Sequence, residues 1–208
     1  ACLVGSEMCI RDSVKSLINL IGERQFIDRL NAGFATSEKV SFNALGDNMG
    51  AYPINHGNET NMQAAYLFSY TSEPWHTQKW ARAIQEKYYG MGPRDAYPGD
   101  EDQGQMSSWY ILSSIGLFQM DGGCSKDPVW LLGSPRFDRV EILLDNTYYS
   151  GKKLIIKAEN VSKDNCYIQY VRFNNKRLSN NYIEWSKLKK GGTLHFIMGD
   201  RPNPNAFK

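Results

Sequence analysis

Two short segments concentrate the residue types that could do chemistry. Pro98-Gly99-Asp100-Glu101-Asp102-Gln103-Gly104-Gln105 sets three carboxylates in a row between two glycines. His56-Gly57-Asn58-Glu59-Thr60-Asn61-Met62-Gln63 gathers an imidazole, a carboxylate and several amides around a glycine-containing turn. If Glu101 points away, Asp100 and Asp102 face one cavity, and such a pair can activate water as a general base or hold a hard cation. Oxygen ligands from Asn58, Glu59 and an aspartate suit calcium, which takes roughly six to eight oxygens, better than zinc. Each segment also has a plain structural reading. Asn58 and Asp102 are good N-cap residues, and acids favour the positive end of a helix. Spacing alone leaves both readings open.

The elements that must position these segments are helices. From Val14 to Phe34, apolar Leu17, Ile18, Leu20, Ile21, Phe26, Ile27, Leu30 and Phe34 recur at three- and four-residue intervals, with Gly22 splitting the run. A second helical pattern runs through Met62, Ala65, Tyr66 and Ser69. A third runs through Trp80, Ala83, Ile84 and Tyr88, with Pro74 as the break between them. A fourth, from Gly104 to about Leu117, is apolar on nearly every side, as in a helix buried among others, and Gly116 ends it. Trp75, Trp80, Trp109 and Trp130 could stack on a sugar ring, but at this spacing most are expected in the core.

Beyond Asp121 the period becomes two. Val140, Ile142 and Leu144 recur at every second position against Arg139 and Glu141, and Leu154, Ile156 and Ala158 do so against Lys153 and Lys157. Tyr167, Val171 and Phe173 share one parity of the next run, and Leu194, Phe196 and Met198 form the last. Asn174-Asn175 supplies turn chemistry and Gly191-Gly192 a break. The fold class is therefore α+β, with helices over about 14–120 and strands over about 121–208. Residues 1–13 (ACLVGSEMCIRDS) match neither a signal peptide nor an element and read as non-native adapter or cloning sequence. From Val14 onward the chain starts inside a helical pattern, which suggests a fragment of a larger protein.

Composition removes several classes. The 208 residues, 41% hydrophobic and 22% charged, can bury a core, which excludes a disordered chain. A net charge of +2 gives too little field for a dedicated nucleic-acid binder. No stretch approaches the ~20 apolar residues of a membrane span. His56, His76 and His195 are too scattered for a zinc motif, and Cys2, Cys9, Cys124 and Cys166 show no metal spacing. Whether Cys124 and Cys166 pair is left open by the sequence.

Three stretches carry a resemblance: HGNETNMQAAYLFSYTSEPWHTQKW (His56–Trp80), PGDEDQGQMSSWYILSSIGLFQM (Pro98–Met120) and GSPRFDRVEI (Gly133–Ile142). In this order they resemble the C-terminal end of calcium-dependent exo-α-mannosidases, family 92 of the glycoside hydrolases. The likeness continues more loosely to GGTLHFIMGDRPN. It implies terminal helices of an (α/α)6 barrel followed by strands that complete a β-sandwich domain. It implies hydrolysis of terminal α-mannosides with inversion, α-1,2 linkages of N-glycan or mannan type foremost, on a mannose-containing oligosaccharide or glycoprotein glycan. Asp100 and Asp102 match the family's general-base aspartates. Asn58, Glu59, Gln63 and Asp102 would serve calcium, and His56 and Glu59 the sugar.

The resemblance further implies a periplasmic or extracellular enzyme whose N-terminal part is missing here. The family's general acid, a glutamate, has no matching motif between Val14 and Ala51, so the fragment is expected to be inactive alone. Helices taken out of a barrel are also expected to expose Trp80, Ile84 and Tyr88 and to give poor solubility. A non-catalytic carbohydrate-binding or scaffold module is the competing reading. Another inverting hydrolase on the same barrel shares the chemistry but not the motifs.

Overall fold

The computed structural model describes residues 14–44, 50–93, 95–96, 99, 101 and 103–208. Residues 1–13, expected to be non-native, lie outside the described residues. The chain divides into two compact units, one ending at Ile111 and the other Leu112–Lys208.

The first unit is helical. Helix α1 (14–21) stops at Gly22, whose φ of 88° suits glycine and breaks the helix where the sequence expects it, and α2 (Glu23–Ser37) starts again at once. A 3₁₀ turn, Glu38–Val40, closes α2. One turn of helix, α3 (Glu59–Met62), is followed by a 3₁₀ stretch, Ala64–Tyr70, then by α4 (Trp75–Lys87) behind Pro74 and by α5 (Gln105–Ser114). The second helical pattern is thus mostly 3₁₀ and not α, with Ala64 through Ser69 all buried.

An aromatic cluster holds this unit together. Phe34 stacks on Trp80 at 5.3 Å between centroids and meets Phe42 edge-on at 6.2 Å. The Trp80 indole N–H donates to Asn31 Oδ1 at 2.8 Å, so the buried ring leaves no orphaned donor. Trp80, Ile84 and Tyr88 are 1%, 0% and 3% exposed, against the expectation that they lie open. A groove of about 360 Å³ is lined by Phe26, Leu30, Pro53 and Ile54 with Arg29, and Leu20 on α1 and Met91 are exposed. Nor is α5 buried all round, since Ile111 is 59% exposed.

The second unit carries two sheets. Strands β1 (Leu117–Phe118), β2 (Val129–Leu132) and β7 (Tyr182–Glu184) form one antiparallel sheet in the order β1-β2-β7. The larger has the order β3-β4-β8-β5-β6, from β3 (Arg139–Leu143), β4 (Lys153–Glu159), β5 (Tyr167–Phe173), β6 (Lys176–Arg177) and β8 (Gly192–Gly199). Only β4 and β8 run parallel. A short helix, α6 (Trp185–Leu188), comes directly after β7.

Leu154, Ile156 and Ala158 of β4 and Leu194, Phe196 and Met198 of β8 point into one core, on the expected parities. On β5 the inward residues are Ile168 and Val171, an odd spacing that a bulge between Ile168 and Tyr170 creates. The extra residue shifts the parity, so Tyr167 is only half-buried. Asn174 and Asn175 take φ values of 48° and 68° and close the β5–β6 hairpin as a two-residue turn. Cys124 and Cys166 are free thiols. No helix among the described residues is long and apolar enough to cross a membrane.

Candidate active site

The turn at residues 55–58 is held from both sides. His56 N–H donates to Phe42 O at 2.8 Å, Asn55 Nδ2 to Ala44 O at 3.1 Å, and Gly57 N–H to Asn55 Oδ1 at 3.3 Å. Asn58 then caps α3. Its backbone is extended, and its Oδ1 accepts from Thr60 N–H at 3.3 Å and Thr60 Oγ1 at 2.8 Å. Glu59 occupies the first turn and is half-buried, and its carboxylate has no partner among the described residues. Gln63 ends the same turn of helix. Asn58, Glu59 and Gln63 therefore share one short element.

His56 lies behind this turn with no accessible surface. Its ring meets Trp109 at 4.3 Å, Tyr88 at 4.9 Å and Tyr89 at 5.5 Å, all nearly edge to face. Nε2 is 2.8 Å from the Tyr89 hydroxyl, and that hydroxyl lies 3.2 Å from Met106 O. The His56–Tyr89 contact thus continues to the backbone of α5, with the donor and acceptor roles of the pair set by the imidazole tautomer. Nδ1 is buried with no partner among the described residues. Burial alone pushes the imidazole pKa from 6.5 down to about 3, so the ring is neutral. In this fold the His56 ring, expected to serve the sugar, lies behind the turn and has no accessible surface.

The acidic segment leads into α5. Both Glu101 carboxylate oxygens take the Ser107 N–H, at 3.2 and 3.4 Å, and one also takes the Ser107 hydroxyl. The Glu101 carbonyl accepts from Gln105 N–H at 3.1 Å. Gln103 and Gly104, with φ of 60° and 92°, turn the chain into the helix. Glu101 is thus bound to its own helix. Asp100 and Asp102, the two expected catalytic aspartates, lie outside the described residues.

The two segments meet at a pair of glycines. A Cβ placed on Gly57 would stand 3.3 Å from Gly99 Cα, and one placed on Gly99 would stand 2.6 Å from Gly57 Cα. The Tyr88 hydroxyl fills the same corner, 2.5 and 2.6 Å from those two positions. Gln105 Nε2 adds a link at 3.5 Å to the Glu59 carbonyl. Only residues without side chains allow the two backbones this approach.

Asn58, Glu59 and Gln63 offer oxygen donors, the right chemistry for a hard cation, although Asn58 Oδ1 already serves as a cap. Among the described residues no three His, Cys, Asp or Glu side chains form a metal cluster. Tyr88 and Tyr89 escape a reading of the sequence because they lie outside both polar segments. Their only signal there is a tandem tyrosine at the end of an amphipathic pattern.

The chain matches the glycosyl hydrolase family 92 catalytic domain over residues 6–200. Its fold is similar to the family GH92 alpha-mannosidase BT3965 from Bacteroides thetaiotaomicron, at 30% identity and a TM-score of 0.78, covering 93% of this chain and 24% of that one. It is also similar to the family GH92 inverting mannosidase BT2199 from the same organism, at 29% identity and a TM-score of 0.74, covering 93% and 27%. An uncharacterized secreted glycosidase from Arthroderma benhamiae is 27% identical over 197 residues, 93% of this chain and 23% of that protein. The chain thus spans about a quarter of the length of these relatives. The motifs, the order of helices and sheets, and the match along most of its length lead to one conclusion: the chain belongs to glycoside hydrolase family 92.

Proposed function

We propose that this chain supplies one wall of the active site of an inverting, calcium-dependent exo-α-mannosidase. The observation that carries the reading is the Gly57–Gly99 contact, which sets the Asn58–Glu59 turn beside the segment bearing Asp100 and Asp102. An inverting glycosidase needs a base to activate water on one face of the sugar and an acid on the other, with carboxyls roughly 6.5–9.5 Å apart. Asp100 and Asp102 supply the base. Glu101 stays out of the reaction because Ser107 occupies it.

Glu59, with Asn58, Gln63 and Asp102, would hold calcium, which when bound orients sugar hydroxyls and favours the flattened ring of the transition state. Trp109 and Tyr88, both buried, pack behind the turn and keep water from its inner side. The general acid belongs to the remaining part of the catalytic domain, so the 208 residues alone should hydrolyse little. The named mannosidases among the structural relatives support an α-mannoside as substrate, and the form proposed for it is a terminal α-1,2-linked residue on N-glycan or mannan chains. The secreted relative supports a periplasmic or extracellular location.

A non-catalytic reading keeps one observation in its favour: Asn58 and Glu101 do cap α3 and α5. Asp100→Asn, made in the polypeptide carrying the whole catalytic domain, separates the two. A catalytic base predicts a loss of about 10²- to 10⁴-fold in kcat with mannose-type ligands still bound, measured by calorimetry. Unchanged turnover would give the segment to capping alone.

A further inference from the structure

Tyr88 and Tyr89 adjoin the end of α4, outside both polar segments, yet their hydroxyls serve both. Tyr89 bridges His56, the residue before the Gly57 turn, to Met106 in the first turn of α5. The bridge is continuous: His56 Nε2 lies 2.8 Å from the Tyr89 hydroxyl, which lies 3.2 Å from the Met106 carbonyl. Packing fixes the same arrangement, since the Tyr89 ring lies parallel to Trp109, 9° apart at 6.0 Å, while Trp109 meets His56 edge-on. Beside this bridge, the Tyr88 hydroxyl fills the corner between Gly57 and Gly99.

We infer that Tyr89, acting with His56, is a positioning residue that sets the register between the Asn58–Glu59 turn and the acidic segment before α5. The inference rests on the proposal that these two segments form one site. A cap on each helix would hold each segment separately. The His56–Tyr89–Met106 bridge, the glycine crossing and the long Gln105–Glu59 bond tie one to the other. Of these, the partly buried bridge is the link that loss of a single hydroxyl removes.

The test is Tyr89→Phe in the polypeptide carrying the whole catalytic domain, since it deletes the hydroxyl and keeps the ring. Hydrogen exchange should quicken together over residues 56–63 and 101–109, by about tenfold, with α4 unchanged. With an aryl α-mannoside, kcat should fall by about the same factor while KM moves less than about twofold. His56→Gln, whose amide can still donate to Tyr89, should retain more activity than His56→Ala. Exchange that quickens in one segment only, or a lower melting temperature with wild-type kinetics, would overturn the inference. If the wild-type protein neither binds calcium nor cleaves mannosides, the proposed function falls, and the exchange result still decides whether Tyr89 couples the segments.

Discussion

Gly57 and Gly99 approach so closely that a methyl group on Gly99 would stand 2.6 Å from the Gly57 Cα. The atom in the way is backbone, so no rotamer change relieves the overlap. Gly99→Ala should push the acidic segment off the Asn58–Glu59 turn. A misplacement near 1 Å costs about 10²-fold in rate, and steady-state kinetics of the whole catalytic domain should show a loss of that order. Wild-type kcat in Gly99→Ala would mean that the crossing does not set the site.

Glu59 and Asn58 separate two roles that the sequence alone leaves merged. Glu59→Gln removes a charge that has no partner among the described residues, so folding should be nearly unaffected while calcium affinity drops by at least about tenfold. Asn58→Ala removes the cap on α3 and should cost about 1 kcal/mol of stability as well. Calorimetric calcium titration beside thermal unfolding reads both. Equal calcium affinity in Glu59→Gln and wild type would remove Glu59 from the metal site.

Acid should destabilise the first unit through His56. Its folded-state pKa of about 3 lies below the ordinary 6.5, so the unfolded chain takes up a proton that the folded chain refuses. The stabilisation is complete above pH 6.5 and is lost as pH falls towards 3, amounting to about 2 kcal/mol between pH 7 and pH 5. His76, also lowered chiefly by burial, acts in the same direction. Denaturant unfolding of His56→Gln across this range should show a shallower pH slope than wild type. Identical slopes would contradict the buried neutral ring.

The helical half is largely legible in the sequence, down to the break at Gly22 and the start of α4 behind Pro74, because amphipathic periods and helix breakers act locally. The stretch Ala64–Tyr70 misleads because apolar residues three and four apart fit an α-helix, while the chain there winds as 3₁₀. On β5 a bulge changes which residues face the core, and nothing in the pattern of Tyr167 to Phe173 announces it. The composition of both site segments is readable, and so is the capping chemistry of Asn58. Their contact is not, since the Gly57–Gly99 approach and the Tyr89 bridge join residues far apart in the chain. Trp80, Ile84 and Tyr88 are expected from the sequence to lie open, but α2 and the Phe42 turn supply rings that cover Trp80.

Asn174 carries the hairpin that ends β5. It sits at a φ of 48°, and its Oδ1 accepts from Thr193 N–H at 2.8 Å on β8. Asn174→Ala loses that bond and keeps the strained backbone, which should destabilise the second unit by about 1–3 kcal/mol in urea unfolding. Asn175→Gly should be neutral or slightly stabilising, since glycine tolerates the φ of 68° found there. Equal stability of Asn174→Ala and wild type would mean that the turn does not hold the sheet edge.

The most direct test of the mannosidase reading is anomeric NMR of the polypeptide carrying the whole catalytic domain, acting on α-1,2-mannobiose with calcium and then with a chelator. An inverting, calcium-dependent site predicts β-mannose as the first product and no release once calcium is removed. Release of α-mannose first, turnover that survives the chelator, or no cleavage of any α-mannoside by the folded, calcium-supplied protein would contradict it.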